Sequence, residues 1–271
     1  MQLLPVLKKS VFIVLSLIIV IAFLFVAAYK QITYSVLPSN SRSQLALTPP
    51  MGWNGWNHFG CSPDLNEQSF KEMVDALVAS GMKDAGYKYV NLDDCWQVDR
   101  DTNGQIVVDV TRFPSGIKAL ADYTHSRGLL FGIYTSGGRI TCEKRPGSYG
   151  YEHIDAKTYA DWGVDYIKID WCGIEYIDTQ TQYSIWKQAV ENTGRPMVIS
   201  IAIAAIDTIP NNRVWEWGHG TAESWRTARD LIDTWDDVLR VANINTRYAS
   251  YSRIGGWNDA DMLQVGNGGM D

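Results

Sequence analysis

The sequence has no CxxC pair, no block of like charges and no Gly-x-Gly-x-x-Gly after its first strand-like run. Each absence removes a class of function. With only Cys61, Cys95, Cys142 and Cys172, none of them paired at CxxC spacing, the usual ligand pattern of a zinc site is missing. A net charge of −6, with its basic residues scattered, offers no positive face to a phosphate backbone and argues against nucleic acid as a partner. The missing glycine fingerprint argues against a dinucleotide-binding sheet. No glycine-rich phosphate loop stands near the later strands, which weakens a reading as an enzyme of phosphorylated metabolites. The four histidines, His58, His125, His153 and His219, form no cluster with Cys or Asp that suggests a metal. No metal and no cofactor are expected.

What is present begins with an unusual first segment. Lys8 and Lys9 precede an uncharged run from Ser10 to Tyr29, and Lys30 closes it. Twenty residues at ~1.5 Å each span about 30 Å, the thickness of a bilayer core. Leading lysines favour a cytoplasmic N-terminus. The expected organisation is therefore a cytoplasmic stretch over 1–9, a transmembrane signal-anchor over 10–29, a linker over 30–46 and the main domain over 47–271, outside the cytosol. The rival is secretion after cleavage near Val26-Ala27-Ala28. Either way the cysteines reach a compartment that permits disulfides; composition leaves three pairings open, with buried free thiols as the alternative. The 271 residues are 46% hydrophobic, with 11 Trp and 14 Tyr, enough for a large core that would absorb most of the rings, while some could stack on sugar faces.

From Pro50 onward, apolar strand-like runs alternate with helical spacing. Asp64 and Glu67 read as a capping box ahead of Phe70, Met73, Val74, Leu77 and Val78. Strand patterns follow over 87–92, 129–134, 166–169 and 197–203, and a further strand begins near Ile254. Leu231, Trp235, Val238 and Leu239 read as one apolar helix face. Repeated strand–helix units with near-continuous apolar strands imply a parallel α/β sheet with helices outside it. About seven units fit an incomplete (β/α)8 TIM barrel better than a doubly wound sheet.

Polar residues gather where these strands end: Asp93-Asp94, Tyr134, Lys168-Ile169-Asp170 and Asn258-Asp259-Ala260-Asp261. In a barrel those ends build the active site. A lone Asp there is usually a helix cap, but acids after several strands are harder to explain that way. Lys168 and Asp170 are two apart on a strand and share a face. A lysine beside a carboxylate is expected to keep it ionised, as a nucleophile must be, so the proton donor has to be a second acid. That division of labour is the one glycoside hydrolysis requires.

The landmarks Pro50-Met51-Gly52-Trp53-Asn54-Gly55-Trp56, Leu92-Asp93-Asp94-Cys95-Trp96, Tyr166-Ile167-Lys168-Ile169-Asp170, Ser224-Trp225-Arg226-Thr227 and 255–263 occur in the order found in glycoside hydrolase family 27, which the sequence resembles from about Leu47 to Asp271. The resemblance implies a retaining double displacement on terminal α-D-galactosides, with Asp170 as nucleophile and Asp230 as acid/base; a helix cap near Leu231 is the bland role for Asp230. It implies Asp93 and Asp94 on the sugar's 4- and 6-hydroxyls, Lys168 near the 3- and 4-hydroxyls, Trp56 as an aromatic wall, and Tyr134 and Arg226 in the pocket. It also implies disulfides Cys61–Cys95 and Cys142–Cys172. The implied partner is an oligosaccharide or glycoconjugate.

Two departures from the family pattern stand out. The fifth strand, Val198 to Ala205, lacks the Cys-Glu-Trp whose Glu contacts a 2-hydroxyl. Small residues there suit an α-N-acetylgalactosaminidase or another pyranosidase, such as a β-L-arabinopyranosidase. The chain also stops at Asp271, before the family's last barrel unit and C-terminal β-sandwich, so the expectation is a poorly folded or weakly active piece. The reading from another class is a membrane-tethered carbohydrate-binding protein with a crippled site.

Overall fold

A computed structural model describes residues 45–173, 178–203, 212–264 and 266–270. The expected membrane anchor over 10–29 and almost all of the 30–46 linker lie outside the described residues. Within the described residues no helix is long and apolar enough to cross a membrane. All of the described strands and helices belong to the unit Gln44–Asp271.

Numbered along the chain, the elements are β1 Gly52–Asn54, α1 Trp56–Phe59, α2 Glu67–Ala79, β2 Tyr89–Leu92, β3 Gln97–Arg100, β4 Ile106–Val108, α3 Ile117–Ser126, β5 Leu130–Ser136, α4 Glu152–Trp162, β6 Tyr166–Asp170, α5 Thr179–Thr193, β7 Val198–Ile201, α6 Val214–Trp217, β8 Ser224–Arg226, α7 Trp235–Arg247 and β9 Trp257–Asp259. Seven strands form one sheet in the order β1-β2-β5-β6-β7-β8-β9, and every neighbouring pair is parallel. This is the expected partial barrel, with about seven strand–helix units.

The strands follow from their period-2 pattern. Val90, Leu92, Phe131, Ile133, Ile167, Ile169, Ile199 and Ile201 are buried on the helix side, in one core with Phe70 and Val74 of α2, Leu120 of α3, Tyr159 of α4 and Trp186 of α5. Fully burying each such side chain is worth about 1.5–3 kcal/mol. The alternate positions, among them Asn91, Gly132, Tyr134, Tyr166 and Lys168, therefore face the other side. The rings of Tyr89 and Tyr166 lie 5.3 Å apart although β5 separates their strands, so the sheet curls toward that side. Most of the tryptophans belong to the core: Trp96, Trp186 and Trp225 are completely buried.

Several local expectations are corrected. Helix α2 is capped by Asn66, not Asp64: the Asn66 side chain accepts from Gln68 and Ser69 N–H, and Ser69 Oγ accepts from Asn66 N–H to complete a capping box. Glu67 instead accepts from the Ser115 amide at 2.9 Å. Asp230 caps no helix; α7 starts later, capped by Thr234. Its expected apolar face is split: Leu231 is buried with Val241 and Val238 packs against them, while Trp235 is 65% and Leu239 45% exposed. β7 stops at Ile201 and β9 begins only at Trp257. The β3–β4 hairpin was not expected, although Asn103-Gly104 carries a hairpin turn signal and Gly104 sits at φ 80°.

Gly132 stands on the concave face. It is paired with Asn91, and a Cβ on Gly132 would lie 1.8 Å from Asn91 Oδ1. That oxygen is buried with no hydrogen-bond partner among the described residues. Gly132→Ala is expected to destabilise by about 1–3 kcal/mol through overpacking. The same change in an Asn91→Ala background should cost much less, a difference that urea unfolding of the four proteins in the cycle would measure.

Candidate active site

The C-terminal ends of β1, β2, β5 and β6 bring five of the side chains together. Asn54, closing β1, accepts from the Trp56 amide at 2.8 Å and donates to Asp93 Oδ2 at 2.7 Å. Lys168 Nζ donates to the same oxygen at 2.7 Å. Lys168 also lies over the Tyr134 ring, 5.2 Å from its centroid. Tyr134 in turn donates its hydroxyl to Asp170 Oδ2 at 3.1 Å, and the Trp171 amide donates to Asp170 Oδ1 at 2.8 Å. Tyr134 is held from behind by Trp96 Nε1, which donates to its carbonyl at 2.9 Å. Trp56 is half-buried on the first turn after β1, next to this group through Asn54. Asn54 was not singled out from the sequence, although it sits inside the first landmark.

Both disulfides implied by the resemblance are present and brace this end of the sheet. Cys61–Cys95 ties the loop after α1 to the loop after β2, with Cα atoms 5.5 Å apart. Cys142–Cys172 ties the loop after β5 to the loop after β6, at 5.1 Å. Cys142 Sγ lies 3.4 Å from Asp170 Oδ2. Cys142, Cys172 and Asp170 thus form a tight trio of ligand-type atoms, but the two sulfurs are bonded to each other and cannot act as thiolates.

The electrostatics add burial to the expected lysine–carboxylate attraction. Burial raises the Asp170 carboxyl above the usual aspartate range, and the Lys168 charge, the Trp171 N–H and the Tyr134 hydroxyl pull it down only in part. Lys168 therefore opposes the burial without overcoming it. Burial and the surrounding carboxylates raise Tyr134, so it remains a hydroxyl donor. Burial pushes Asp94 up to about 6 despite hydrogen bonds from Thr141, Cys95 and Glu143, and the Asp93 charge adds to the rise. Lys168 is raised: burial lowers it, but Asp93, Asp170 and Asp261 outweigh that.

A second group stands at the ends of β8 and β9. Arg226 is buried, and its Nη2 donates to Asp230 Oδ1 at 2.9 Å and to the Ala228 carbonyl at 3.0 Å. Its Nη1 pairs with Asp261 Oδ1 at 3.0 Å, and its Nε is buried with no partner among the described residues. The Asp230 side chain is 87% exposed. Asp230 makes no described contact with the Lys168 group; the two groups meet electrically through Asp261, whose charge acts on both Lys168 and Arg226. Asp261, unlike Asp230, was not assigned a role from the sequence. A cavity of about 660 Å³ beside the start of α2, lined by Asn66, Glu67, Asp109 and Arg112, contains none of these residues.

Five aspartates, an aromatic hydroxyl, a lysine and an arginine thus stand at or just beyond the strand ends of a curled parallel sheet, the end at which barrel enzymes build their active sites. The model of the alpha galactosidase A family matches residues 48–271, and the chain belongs to that family. It is 46% identical over 236 residues to alpha-galactosidase A of Cellvibrio japonicus, covering 83% of this chain and 57% of that protein. The fold is similar to alpha-galactosidase I of Mortierella vinacea, with a TM-score of 0.79 and 38% identity over 84% of this chain and 62% of that one. It is also similar to an alpha-galactosidase of Saccharomyces cerevisiae solved with raffinose, with a TM-score of 0.77 and 34% identity over 83% of this chain and 54% of that one. The chain spans a little over half the length of the curated relatives it matches.

Asp94 gives a test with a defined sign. Its carboxyl titrates near 3.8 unfolded and about 6 folded, so the folded state holds the proton more tightly. Its stabilising contribution is complete below the unfolded value and is lost as pH rises through about 6. Wild-type protein should therefore lose stability between pH 4 and 7, by up to about 3 kcal/mol from this residue. Thermal melts across that range should show a flatter profile for Asp94→Asn.

Proposed function

We propose that this chain carries the catalytic machinery of a retaining α-galactosidase acting on terminal α-D-galactosyl residues of oligosaccharides such as raffinose. The observation that carries the proposal is the setting of Asp170. Its oxygens receive the Trp171 amide and the Tyr134 hydroxyl, and it stands in the field of a lysine already paired with Asp93.

In this reading Asp170, ionised, attacks the anomeric carbon and forms a glycosyl-enzyme. Asp230 protonates the departing oxygen and then takes a proton from the water that releases the sugar. Exposure suits Asp230, which has to meet both the leaving group and water. Asp93, Asp94 and Lys168 engage the sugar's hydroxyls, and an epimer would fail to meet the hydrogen bonds these buried polar groups can still make, a loss large enough for discrimination. Trp56 supplies an apolar face, and Arg226 holds the Asp230 carboxylate. The disulfides suit an oxidising compartment, and residues 10–29 are proposed to carry the chain across a membrane as an anchor or a leader.

A second substrate reading has its own observation. Ala202 continues β7 beside Asp170, donating its amide to the Ile169 carbonyl at 2.9 Å, and it is a small residue where the family pattern has a glutamate nearby. A small residue there suits a substrate with a bulkier 2-substituent, which makes an α-N-acetylgalactosaminide the runner-up. Turnover of nitrophenyl α-galactoside and α-N-acetylgalactosaminide by the same preparation ranks the two.

Asp170→Asn is expected to lower α-galactoside turnover by at least about 10³-fold, with circular dichroism and melting temperature little changed. Azide added to Asp170→Gly should yield the β-galactosyl azide, since the anion enters from the face the carboxylate vacates. Retained turnover in Asp170→Asn would remove it from the nucleophile's role. The acid limb of kcat/KM in wild type should lie above the usual aspartate range and move higher still in Lys168→Met, because the nucleophile must be ionised and Lys168 lowers its pKa.

A further inference from the structure

Asp261 follows β9 in a left-handed backbone conformation, φ 76°, that non-glycine residues rarely adopt. Its side chain is 6% exposed, and both of its oxygens are committed. Oδ1 pairs with Arg226 Nη1 at 3.0 Å. Oδ2 accepts the Leu231 amide at 2.7 Å. These two partners flank Asp230 from both directions: Leu231 is the next residue in the chain, and Arg226 holds the Asp230 carboxylate at 2.9 Å through its other terminal nitrogen. The rest of the loop is fixed from the outer side. Arg240 donates to the Asp230 carbonyl at 3.2 Å, and Asp237, paired with Arg240, accepts the Ile232 amide at 2.8 Å. Gln264, three residues beyond Asp261, donates to the Leu231 carbonyl. The exposed carboxylate of Asp230 thus sits on a backbone held by the buried Asp261 on one side and by Arg240 and Asp237 on the outer side.

We propose that Asp261 is a positioning residue for proton transfer: one buried carboxylate sets both the backbone beside Asp230 and the guanidinium that aims the Asp230 side chain. It touches neither sugar nor leaving group in this role. A left-handed residue held at two points suits that task, because its carboxylate has one direction in which to point. A merely structural residue would join β8 to β9 and act on every step of turnover alike. A positioning residue for the acid acts only where a proton is needed. The inference rests on the reading of Asp230 as the acid/base.

The leaving group separates these cases. Dinitrophenolate departs with little protonation, whereas a sugar alkoxide, as in raffinose, requires it. For Asp261→Asn, kcat/KM should fall about 100-fold on raffinose and less than about tenfold on dinitrophenyl α-galactoside, within the range general acid catalysis supplies. Azide should accelerate the dinitrophenyl reaction and yield the α-galactosyl azide, with retention, the opposite anomer from that expected of Asp170→Gly. Melting curves establish that the variant is folded. Asp261→Glu keeps the charge and the Arg226 pair but displaces the Leu231 contact, and should show the same skew in milder form. An equal loss on both substrates in the folded variants, or no loss, would overturn the proposal. Asp230→Ala, run alongside, keeps the two readings apart. A flat leaving-group dependence there removes Asp230 from the acid's role, whereas a steep one there with a flat one in Asp261→Asn removes Asp261 alone.

Discussion

A lysine ammonium sealed between two carboxylates is what the rest of this molecule is arranged around. Lys168 is bonded to Asp93 and lies in the field of Asp170, at a depth where an unpaired charge would cost several kcal/mol. Such a cluster survives only if its partners cannot drift. The disulfides, the Asn54 bridge and the Trp96 bond to Tyr134 all act on the loops that carry those partners. The apolar layer on the other side of the sheet supplies the rigidity, since each inward polar residue alternates with an outward Ile, Val, Leu or Phe. Core and site are two faces of the same strands.

The two proposed reacting carboxylates live under different conditions. Asp170 is half-buried, held by one amide and one hydroxyl, and raised by desolvation. Asp230 projects outward and keeps one arginine contact. A group that must stay in place to form a bond gains from enclosure. One that must exchange a proton with two different oxygens in succession gains from access, provided its backbone is steady.

Much of this was legible in the residues. The apolar runs located most of the strands, though not β8, and the spacing of Lys168 and Asp170 put both on one face, as the structure has them. The linear motifs pointed to the right strand ends because a parallel barrel gathers those ends in space. What was missed depends on contacts across long separations. Asp261 acquires its neighbours from β8 and the loop after it, 35 and 30 positions away. The cap of α2 was misplaced by two residues because Asp64 and Asn66 both carry the right chemistry, and only the extended backbone at Asn66 decides between them. The apolar stripe of α7 has the correct spacing yet is covered only in part, with Trp235 and Leu239 left open, since periodicity shows that a face can be buried but not what lies against it. The balance at Asp170 was only half legible for a related reason: the lysine, which lowers its pKa, is visible in the sequence, and the burial that raises it is not.

One small contact near the start of the unit has a wider bearing. The Ala46 carbonyl accepts from the Gly255 amide at 3.0 Å and from Trp257 Nε1 at 2.7 Å, so the chain entering β1 is stitched to the chain entering β9. Both lie at the floor of the sheet, where the strands begin, and the acids lie at its rim, where they end. Residue 46 is thereby pinned beneath the strands, and the rim is left to the loops that carry the acids and to whatever sugar chain they receive.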